Sequence, residues 1–460
     1  MNSIRYWNNV SLQLVADDYS FRPLIAGQPP IVRPDGAGPT GTARNLAIIH
    51  LAMYNVVRIA SGLAPFWGVK APPQLPIPLP PGMDVDAAIG AAAAAAARSV
   101  YPSHAATIQA AEANFGNTLP QNFNAVMKGI DFGRKVALNL VEVRAKDGSA
   151  EANPNHAPST APCKHREDPH HIGQGYFGAK WGGVDPFTYK DVTKTKISAP
   201  PPCPSEHYYK DYVEVEKYGR DNLPYFDQAK ATIGVYWAYD GPNKLGTPPR
   251  LYNQIAGVIA DQANAGRDSD ARLFALINIG MCDAGIAAWH WKYIYEVWRP
   301  VIGIREAGEI QQLGGSGPSE QGDGNAKTLG NPFWCPLGAQ ASNAPVSAGG
   351  MAPATNFTPN FPAYPSGHAT FGTTCFNLIA KHYGKPLKKI TFNFVSDELN
   401  GITRDVNGVQ RPRVVKHYNL EEAIKDNGES RIWLGVHWRF DADGGLELGE
   451  DVAKKVLLAI

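Results

Sequence analysis

The sequence predicts an all-α protein in which two helical bundles are stacked on each other. Apolar residues recur at helical spacing over several stretches of ten or more residues. Clear alternation of apolar and polar residues with hairpin turns, the usual sign of a sheet, is missing. Long segments rich in proline, glycine or histidine separate the helical stretches and predict ordered loops. Packing helix on helix is the architecture that buries such segments.

The first half of the chain contains four predicted helices. The first, residues 42–59, carries Leu46, Ile49 and Met53 at helical spacing and predicts a core helix. Residues 71–83 are dense in proline and predict an extended loop. The other three helices are predicted at residues 86–101, 105–114 and 121–146.

Residues 147–204 change character, because proline, histidine, glycine and lysine dominate and no period is sustained. We expect a long ordered loop or linker here, with helical halves at residues 1–204 and 205–460 forming one compact domain. The second half carries the chemistry. Its predicted helices are residues 206–219, 222–239, 249–263, 268–298 (interrupted or bent near Gly285), 368–383, 390–398 and 432 to the end, with a glycine-rich loop at 303–353.

The composition is that of a globular chain. The 460 residues are 44% hydrophobic and carry a formal net charge of +1, which gives no electrostatic reason to expect nucleic acid or acidic lipid as a partner. No stretch predicts a membrane span, and the N-terminus lacks the apolar core of a signal peptide. Export is not excluded by this, so the compartment is left open.

Five cysteines are few for this length, and none has the CxxC spacing of a zinc or redox site. Cys163 and Cys203 lie in the loop-like segment and could form one disulfide. Cys282 and Cys375 lie in apolar helical sequence and are predicted to be core residues, whereas Cys335 is unassigned. Four histidines in or near the same loop are expected to be solvated or to pack within it, because their spacing fits no tight metal-ligand set; these are His165, His170, His171 and His207.

Three short segments combine residues that can bind an anion. In the first, Lys292 and Arg299 are seven residues apart, so a continuous helix would point both to nearly the same side. Pro300 would then end that helix or turn the chain away. Taken alone, this pair is better explained as two solvated charges on a core helix.

The second segment is the run Pro-Ser-Gly-His that begins at Pro365. Ser366 takes the position of an N-cap, where a hydroxyl, free backbone N–H groups and the helix dipole favour an anion. His368 opens the helix beside whatever its terminus binds. The alternative is an ordinary capped helix whose histidine faces solvent.

The third segment contains Arg431, His437 and Asp441. The last two are four residues apart and are predicted to stack on one helical face, where the carboxylate takes one ring proton and leaves the other nitrogen as a ligand or nucleophile. Arg431 reaches the same site if it lies at a helix start, which Asn427-Gly428 upstream favours. The alternative is a core histidine with a local ion pair.

Together the segments supply cations, a helix N-terminus and two histidines, which form one coherent set. They offer donors for a tetrahedral oxyanion, a ligand for its central atom and an acid/base. The sequence therefore predicts an oxyanion pocket made from Lys292, Arg299, Ser366, Gly367, His368, Arg431 and His437.

The motifs Lys-(x6)-Arg-Pro, Pro-Ser-Gly-His and Ser-Arg-(x5)-His-(x3)-Asp, in this order, resemble the signature of vanadium-dependent haloperoxidases and the related acid phosphatases. The resemblance is closest to the chloroperoxidase branch and is strong from about residue 235 to 443. It implies two four-helix bundles and vanadate as the cofactor. The implied reaction is oxidation of bromide, and of chloride, by hydrogen peroxide to hypohalous acid, which halogenates an organic nucleophile.

The resemblance also implies how vanadate would be held. His437 would be its single protein ligand, oriented by Asp441. The vanadate oxygens would accept hydrogen bonds from Lys292, Arg299, Ser366, Gly367, His368 and Arg431.

Further roles implied by the resemblance concern the reaction itself. His368 would be the acid/base that accepts a proton from peroxide, and Lys292 would polarise the peroxide. Asp240 would pair with the arginine or histidine of the pocket. Trp289 and Phe361 would line the halide side, and an apolar wall there fits chloride oxidation.

Two other functions fit parts of this pattern. An acid phosphatase would bind phosphate, which shares the tetrahedral geometry, and would use His437 as the nucleophile that forms a phosphohistidine. A non-catalytic oxyanion-binding protein would need the same donors. Trp289, Phe361 and Asp240 resemble the peroxidase branch and favour the haloperoxidase. No nucleic-acid or membrane partner is expected, and a homo-oligomer is left open.

Overall fold

A computed structural model describes residues 2–20, 34–68, 77–221, 227–308, 322–344 and 355–460. Within these ranges the chain forms thirteen α-helices and one two-stranded sheet. The helices of the first half are α1 (Ser3–Asp18), α2 (Gly38–Ala60), α3 (Val85–Val100), α4 (Ala105–Gly116) and α5 (Phe123–Arg144). Those of the second half are α6 (Glu206–Tyr218), α7 (Gln228–Tyr236), α8 (Pro248–Ala263), α9 (Arg267–Tyr295), α10 (Pro300–Glu306), α11 (Gly367–His382), α12 (Leu420–Trp433) and α13 (Arg439–Ala459), with strands β1 (Thr391–Asn400) and β2 (Arg413–Asn419) before α12.

The helices form two packed groups. In the first half, α3 packs against α2 and α5, with α1 and α4 beside it. In the second half, α11 packs against α9, α12 and α13. Helices α2 and α9 join the groups, and one buried apolar cluster extends from α1 to α13. The predicted helical-bundle architecture is confirmed.

Small residues set the helix spacing in both groups. On α5, a Cβ at Gly133 would lie 1.9 Å from the Ala88 carbonyl oxygen, so this helix touches the backbone of alanine-rich α3. On α9, a Cβ at Gly280 would lie 2.3 Å from Leu378 of α11. Close approach of this kind excludes larger side chains and maximises burial of the apolar faces.

Helix α9 is continuous through Gly285, so the interruption suggested there is not observed. It ends at Tyr295 rather than at residue 298, because Glu296 takes a left-handed conformation (φ 52°) and its N–H bonds to the Lys292 carbonyl. Pro300 is the first residue of α10 and therefore begins a helix. The predicted continuous helix from Lys292 to Arg299 is wrong.

The helix predicted at residues 390–398 is also wrong. Residues Thr391–Asn400 form β1, which pairs antiparallel with β2 from Thr391↔Asn419 onward. Phe392 and Phe394 are buried while Thr391 and Asn393 are exposed, which is the two-residue period of a strand. Aromatic and β-branched residues favour this state. The expectation that strand alternation is missing fails here.

The single helix predicted from residue 432 to the end is replaced by two helices. Helix α12 ends at Trp433, and α13 begins at Arg439. Gly435 between them has φ 67°, and a Cβ there would lie 2.2 Å from the Gly219 carbonyl oxygen. Only glycine satisfies both the conformation and the contact. The resulting turn carries His437.

The long loop between α5 and α6 is closed by a disulfide between Cys163 and Cys203. Cys282 and Cys375 are buried in helices as predicted, and Cys335 is a free, half-buried thiol. Among the described residues, α9 is long and apolar enough to cross a membrane by length and composition alone. Its most apolar window is 94% buried within the protein, as in a core helix.

Candidate active site

Three helix ends and one turn between helices lie at or beside one cavity of about 240 Å³. These are the C-terminal end of α9, the N-terminal ends of α10 and α11, and the turn between α12 and α13. The cavity wall includes the predicted residues Asp240, Trp289, Phe361, Gly367, His368, Arg431 and His437. Arg299 contacts His437, and Ser366 caps α11. The structure thus brings these predicted residues together.

His437 lies in the turn before α13, and both of its ring nitrogens have partners, Asp441 at Nδ1 and Arg299 at Nε2. Nδ1 is 2.9 Å from Asp441 Oδ2, which also accepts from the Trp438 backbone N–H at 2.9 Å. Because a carboxylate accepts, Nδ1 carries the proton and Nε2 keeps a lone pair. The contact was expected on one helical face. Its actual basis is the start of α13, where Asp441 is in the first turn.

The electrostatics keep the His437 ring neutral. Burial lowers the pKa of His437 well below its usual value, and Arg299, Lys292 and Arg431 add to the effect. Burial raises the pKa of Asp441, while the Trp438 N–H, Lys292 and Arg299 act in the opposite direction. A neutral imidazole with a fixed tautomer is the form that binds a metal centre or attacks an electrophile.

Arg299 and Arg431 each have one buried nitrogen that finds no hydrogen-bond partner among the described residues. Arg299 donates from Nε to the Phe361 carbonyl at 2.9 Å and from Nη1 to Val436 O and His437 Nε2 at 2.8 and 2.9 Å. Its Nη2 has no partner among the described residues. Arg431 is held bidentately by Asp240 at 3.0 and 2.6 Å, and its Nε has no partner in the same set.

Arg431 reaches the site from the last turn of α12, not from a helix start as predicted. The predicted start near Asn427 is wrong, because α12 begins at Leu420 with Asn419 as its cap. The cation lies at the C-terminal end of the helix, where the helix dipole favours positive charge. Asp240 then fixes the guanidinium plane.

The buried site has an excess of positive charge. Lys292, Arg299 and Arg431 are all buried, and the neighbouring carboxylates are Asp441, which is buried, and Asp240, whose side chain is 6% exposed. Burial lowers the pKa of Arg299 to about 9, and the nearby Arg431 contributes to the shift. An anion bound between the guanidinium groups would reverse this shift, since it compensates the buried charge. The donor set therefore fits an oxyanion.

The N-terminus of α11 adds uncharged donors. Ser366 is the N-cap: its Oγ accepts from Ala369 N, and its own N–H bonds to the Asp441 carbonyl at 2.8 Å. Gly367 begins the helix, where backbone N–H groups have no partner within the helix. A Cβ at Gly367 would lie 3.3 Å from the Trp289 ring, so a side chain here would press on the cavity wall.

His368 is held in the opposite tautomer to His437. Its Nε2 lies 2.6 Å from the Ala238 carbonyl oxygen, which can only accept, so Nε2 carries the proton and Nδ1 keeps the lone pair. Burial and the neighbouring Arg431 lower the pKa of His368 well below its usual value. The ring is therefore neutral and able to take a proton at Nδ1.

Lys292 is placed beside the cavity with a set of partners that the sequence did not suggest. Its Nζ donates to the carbonyl oxygens of Pro362, Ala363 and Pro365 at 2.8, 2.9 and 2.6 Å. These bonds use all three ammonium protons. Donation from Lys292 to an oxyanion or to peroxide would require one carbonyl to be released, so that role stays a prediction.

The apolar side of the cavity is formed by two packed aromatic rings, which are tilted by 51°. Trp289 and Phe361 have ring centroids 4.7 Å apart. Lys292 Nζ and Arg299 Cζ lie 5.2 and 5.0 Å from the Phe361 ring centroid, within the range of cation–π contacts. The buried cations thus rest against the wall predicted for the halide side.

Several wall residues were not predicted from sequence. The pocket was assigned to residues 205–460, yet Tyr19, Gly38 and Phe177 from the first half also line it. Phe177 follows a glycine-rich stretch inside the long loop, and only this local mixture of glycine and aromatic residues could have indicated it. His165 in the same loop is buried against Tyr176 rather than solvated, so its loop-packing alternative holds.

Comparison with known proteins supports one family for the second half. A family model described as the VCPO second helical-bundle domain matches residues 272–459. Residues 272–459 are therefore similar to this domain family. The matched residues include Lys292, Arg299, His368, His437 and Asp441. Asp240 lies before the matched range.

The chain is also similar to a curated relative and to solved structures. It is 39% identical over 244 residues to vanadium chloroperoxidase of Curvularia inaequalis, a match that covers 45% of this chain and 36% of the relative. The first bacterial vanadium-dependent iodoperoxidase superposes with a TM-score of 0.70 at 16% identity, covering 100% of this chain and 96% of that one. A holo-type bacterial vanadium-dependent chloroperoxidase gives 0.63 at 18% identity, with 94% of each chain covered. At these identities the two structures show a shared fold.

Proposed function

We propose that the protein is a vanadate-dependent haloperoxidase that oxidises bromide and chloride with hydrogen peroxide to hypohalous acid. The observation that carries the proposal is the unprotonated Nε2 of His437, which accepts from Arg299, together with a buried nitrogen on each of Arg299 and Arg431 that has no partner among the described residues. An acceptor nitrogen for a metal centre and unpaired donors for its oxygens are the complementary parts of an oxyanion site. The similarity to vanadium chloroperoxidase favours vanadate as the anion.

The residues present fit vanadate. His437 would bind the metal through Nε2, while Arg299, Arg431, Ser366 and the Gly367 N–H would donate to the oxygens. Asp240 would keep Arg431 in place. Bound vanadate supplies a Lewis acid that activates hydrogen peroxide towards halide without a change of oxidation state.

The side chains of the pocket then have distinct tasks. His368 takes a proton from hydrogen peroxide at Nδ1, because its Nε2–H is bound to the Ala238 carbonyl. Asp441 keeps the His437 tautomer in which Nε2 is unprotonated, and binding of the metal at Nε2 would release its bond from Arg299. Trp289 and Phe361 exclude water from the halide side, which strengthens the charged contacts nearby.

The test is peroxide consumption by vanadate-loaded protein, measured with bromide, with chloride and without halide. We expect consumption that requires both vanadate and halide, with bromide faster because it is the easier halide to oxidise. The His437→Ala variant should show only the background rate. Hydrolysis of a phosphate monoester is measured in parallel, because phosphate would occupy the same donors. Robust phosphatase turnover without halide oxidation would replace the proposal by the phosphohistidine mechanism at His437.

A further inference from the structure

The cavity extends beyond the oxyanion residues into a space that we call the aromatic chamber, lined by Tyr19, Gly38, Phe177, Thr247, Phe357 and Phe371. The whole cavity measures about 240 Å³. For scale, an apolar cavity of about 150 Å³ is large enough to bind benzene. Peroxide and halide are much smaller and need no aromatic walls. The chamber therefore has room for a further, organic ligand.

Phe177 forms part of the chamber wall and is fixed by backbone hydrogen bonds and ring contacts. Its carbonyl oxygen accepts from Trp289 Nε1 at 3.3 Å and from Tyr293 Oη at 2.6 Å, and its N–H bonds to the Asn360 carbonyl at 2.9 Å. Its ring is 6.2 Å from Trp289, edge to face, and 6.4 Å from Phe361. Although it lies in a long loop, Phe177 is positioned before any ligand arrives.

The far edge of the Phe177 ring is packed against Gly38. A Cβ on this residue would lie 2.3 Å from Phe177 Cζ, and Gly38 has φ 67°. Any other residue would force the ring to move from its position in the wall. Glycine at the start of α2 thus fixes the width of the chamber, and the first half of the chain contributes directly to the space.

Thr247 is the polar exception in this apolar wall. Its residue is only 2% exposed, and its Oγ1 has no partner among the described residues. Thr247 is the N-cap of α8 but makes no side-chain capping bond. A buried hydroxyl without a partner is unfavourable, so its presence in a cavity wall indicates a ligand that completes it.

We propose that the aromatic chamber binds a phenol, with the ring against Phe177 and the hydroxyl group hydrogen-bonded to Thr247. Halogenation of the bound phenol rests on the proposed function. A ring carbon activated by the hydroxyl donates its π electrons to the halogen of hypohalous acid, and the oxygen–halogen bond breaks. The ring carbon then loses its proton to the departing hydroxide, which gives the halophenol and water. Binding of the phenol requires neither vanadate nor peroxide.

The test is calorimetric titration of vanadate-free protein with 4-methylphenol and, separately, with toluene, which has the same ring without the hydroxyl. We expect saturable binding of both, with 4-methylphenol tighter. Thr247→Val should weaken 4-methylphenol about five- to tenfold and leave toluene unchanged, because one hydrogen bond is lost. Phe177→Leu should weaken both ligands. Phe333→Ala, at a side chain 84% exposed, is the matched control and should change neither.

The outcomes separate this proposal from the proposed function. Absence of saturable binding, or equal weakening of both ligands by Thr247→Val, overturns the phenol site whatever the halide assay shows. Phenol binding with the expected Thr247 dependence, in protein that fails to oxidise halide, supports the site and contradicts the haloperoxidase alone. Thermal unfolding of Thr247→Val should match the native protein, since no capping bond is removed.

Discussion

His368 and His437 are close to the same arginines but hold their protons on opposite ring nitrogens. Asp441 accepts a hydrogen bond from His437 Nδ1–H, and the Ala238 carbonyl accepts one from His368 Nε2–H. In each ring, the acceptor bound to one nitrogen therefore determines that the other nitrogen is the one that keeps a lone pair. We propose that the two histidines obtain different chemistry in this way, His437 as a ligand and His368 as a base.

We expect the two histidines to fail differently when removed. His368→Ala should retain vanadate but lose turnover by about 100-fold or more, because the proton acceptor is lost while the metal ligand stays. His437→Ala should lose vanadate itself. Elemental analysis for vanadium and halide-dependent peroxide consumption measure the two effects. His417→Ala, at an exposed histidine, is the control. Full activity in both site variants would show that the site is assigned wrongly.

Residue types could be predicted at this scale, but their geometry could not. Arg299 was placed by helical spacing from Lys292, and its real position depends on the left-handed turn at Glu296. The commitment of Lys292 to three carbonyls depends on how residues 362–365 fold back on α9. The second is not encoded in local spacing, because it requires segments about seventy residues apart to meet.

The elements that carry the site are positioned by their ends. Amphipathic and alanine-rich patterns were sufficient to predict α2, α3, α5 and α11, because those patterns are local. Strand β1 was missed, since its pairing partner β2 comes thirteen residues after it ends and the pair is stabilised by nonlocal contacts. The break between α12 and α13 was missed for a similar reason, because Gly219 must be near Gly435 for that turn to matter.

The contact between α9 and the end of α11 should make stability sensitive to acid. His382 of α11 lies 3.0 Å from Ser269 Oγ and 3.3 Å from Arg272 Nη1, and burial together with Arg272 lowers the pKa of His382 to about 4. Between pH 6.5 and about 4 the unfolded chain binds a proton at this histidine that the folded protein does not. His382 therefore contributes a loss of stability as the pH falls through that range.

This contribution is measured by urea unfolding of native protein and His382→Gln at pH 7 and pH 5. The native protein should lose more stability between the two values than the variant does. The corresponding change at exposed His417 is the control and should follow the native protein. An identical pH dependence in native protein and His382→Gln would contradict the assignment.

At the scale of the whole molecule, both halves of the chain contribute residues to the same cavity. We propose that residues 1–204 and 205–460 form one compact domain, because α2 and α9 pack together and one apolar cluster includes both halves. The second half supplies the charged and proton-transferring groups. The first half supplies Tyr19, Gly38 and Phe177 to the aromatic chamber. Selection of an organic substrate would then be a property of both halves, and oxyanion chemistry a property of the second.

We propose that the excess positive charge of the buried site gives the protein its central property, which is affinity for one tetrahedral anion. The most direct measurement is equilibrium dialysis against vanadate followed by elemental analysis of the protein. We predict one vanadium per chain, displaced by excess phosphate because both anions use the donors of Arg299 and Arg431. A protein that retains no vanadium, or whose vanadium is unaffected by phosphate, would contradict an oxyanion site at these residues.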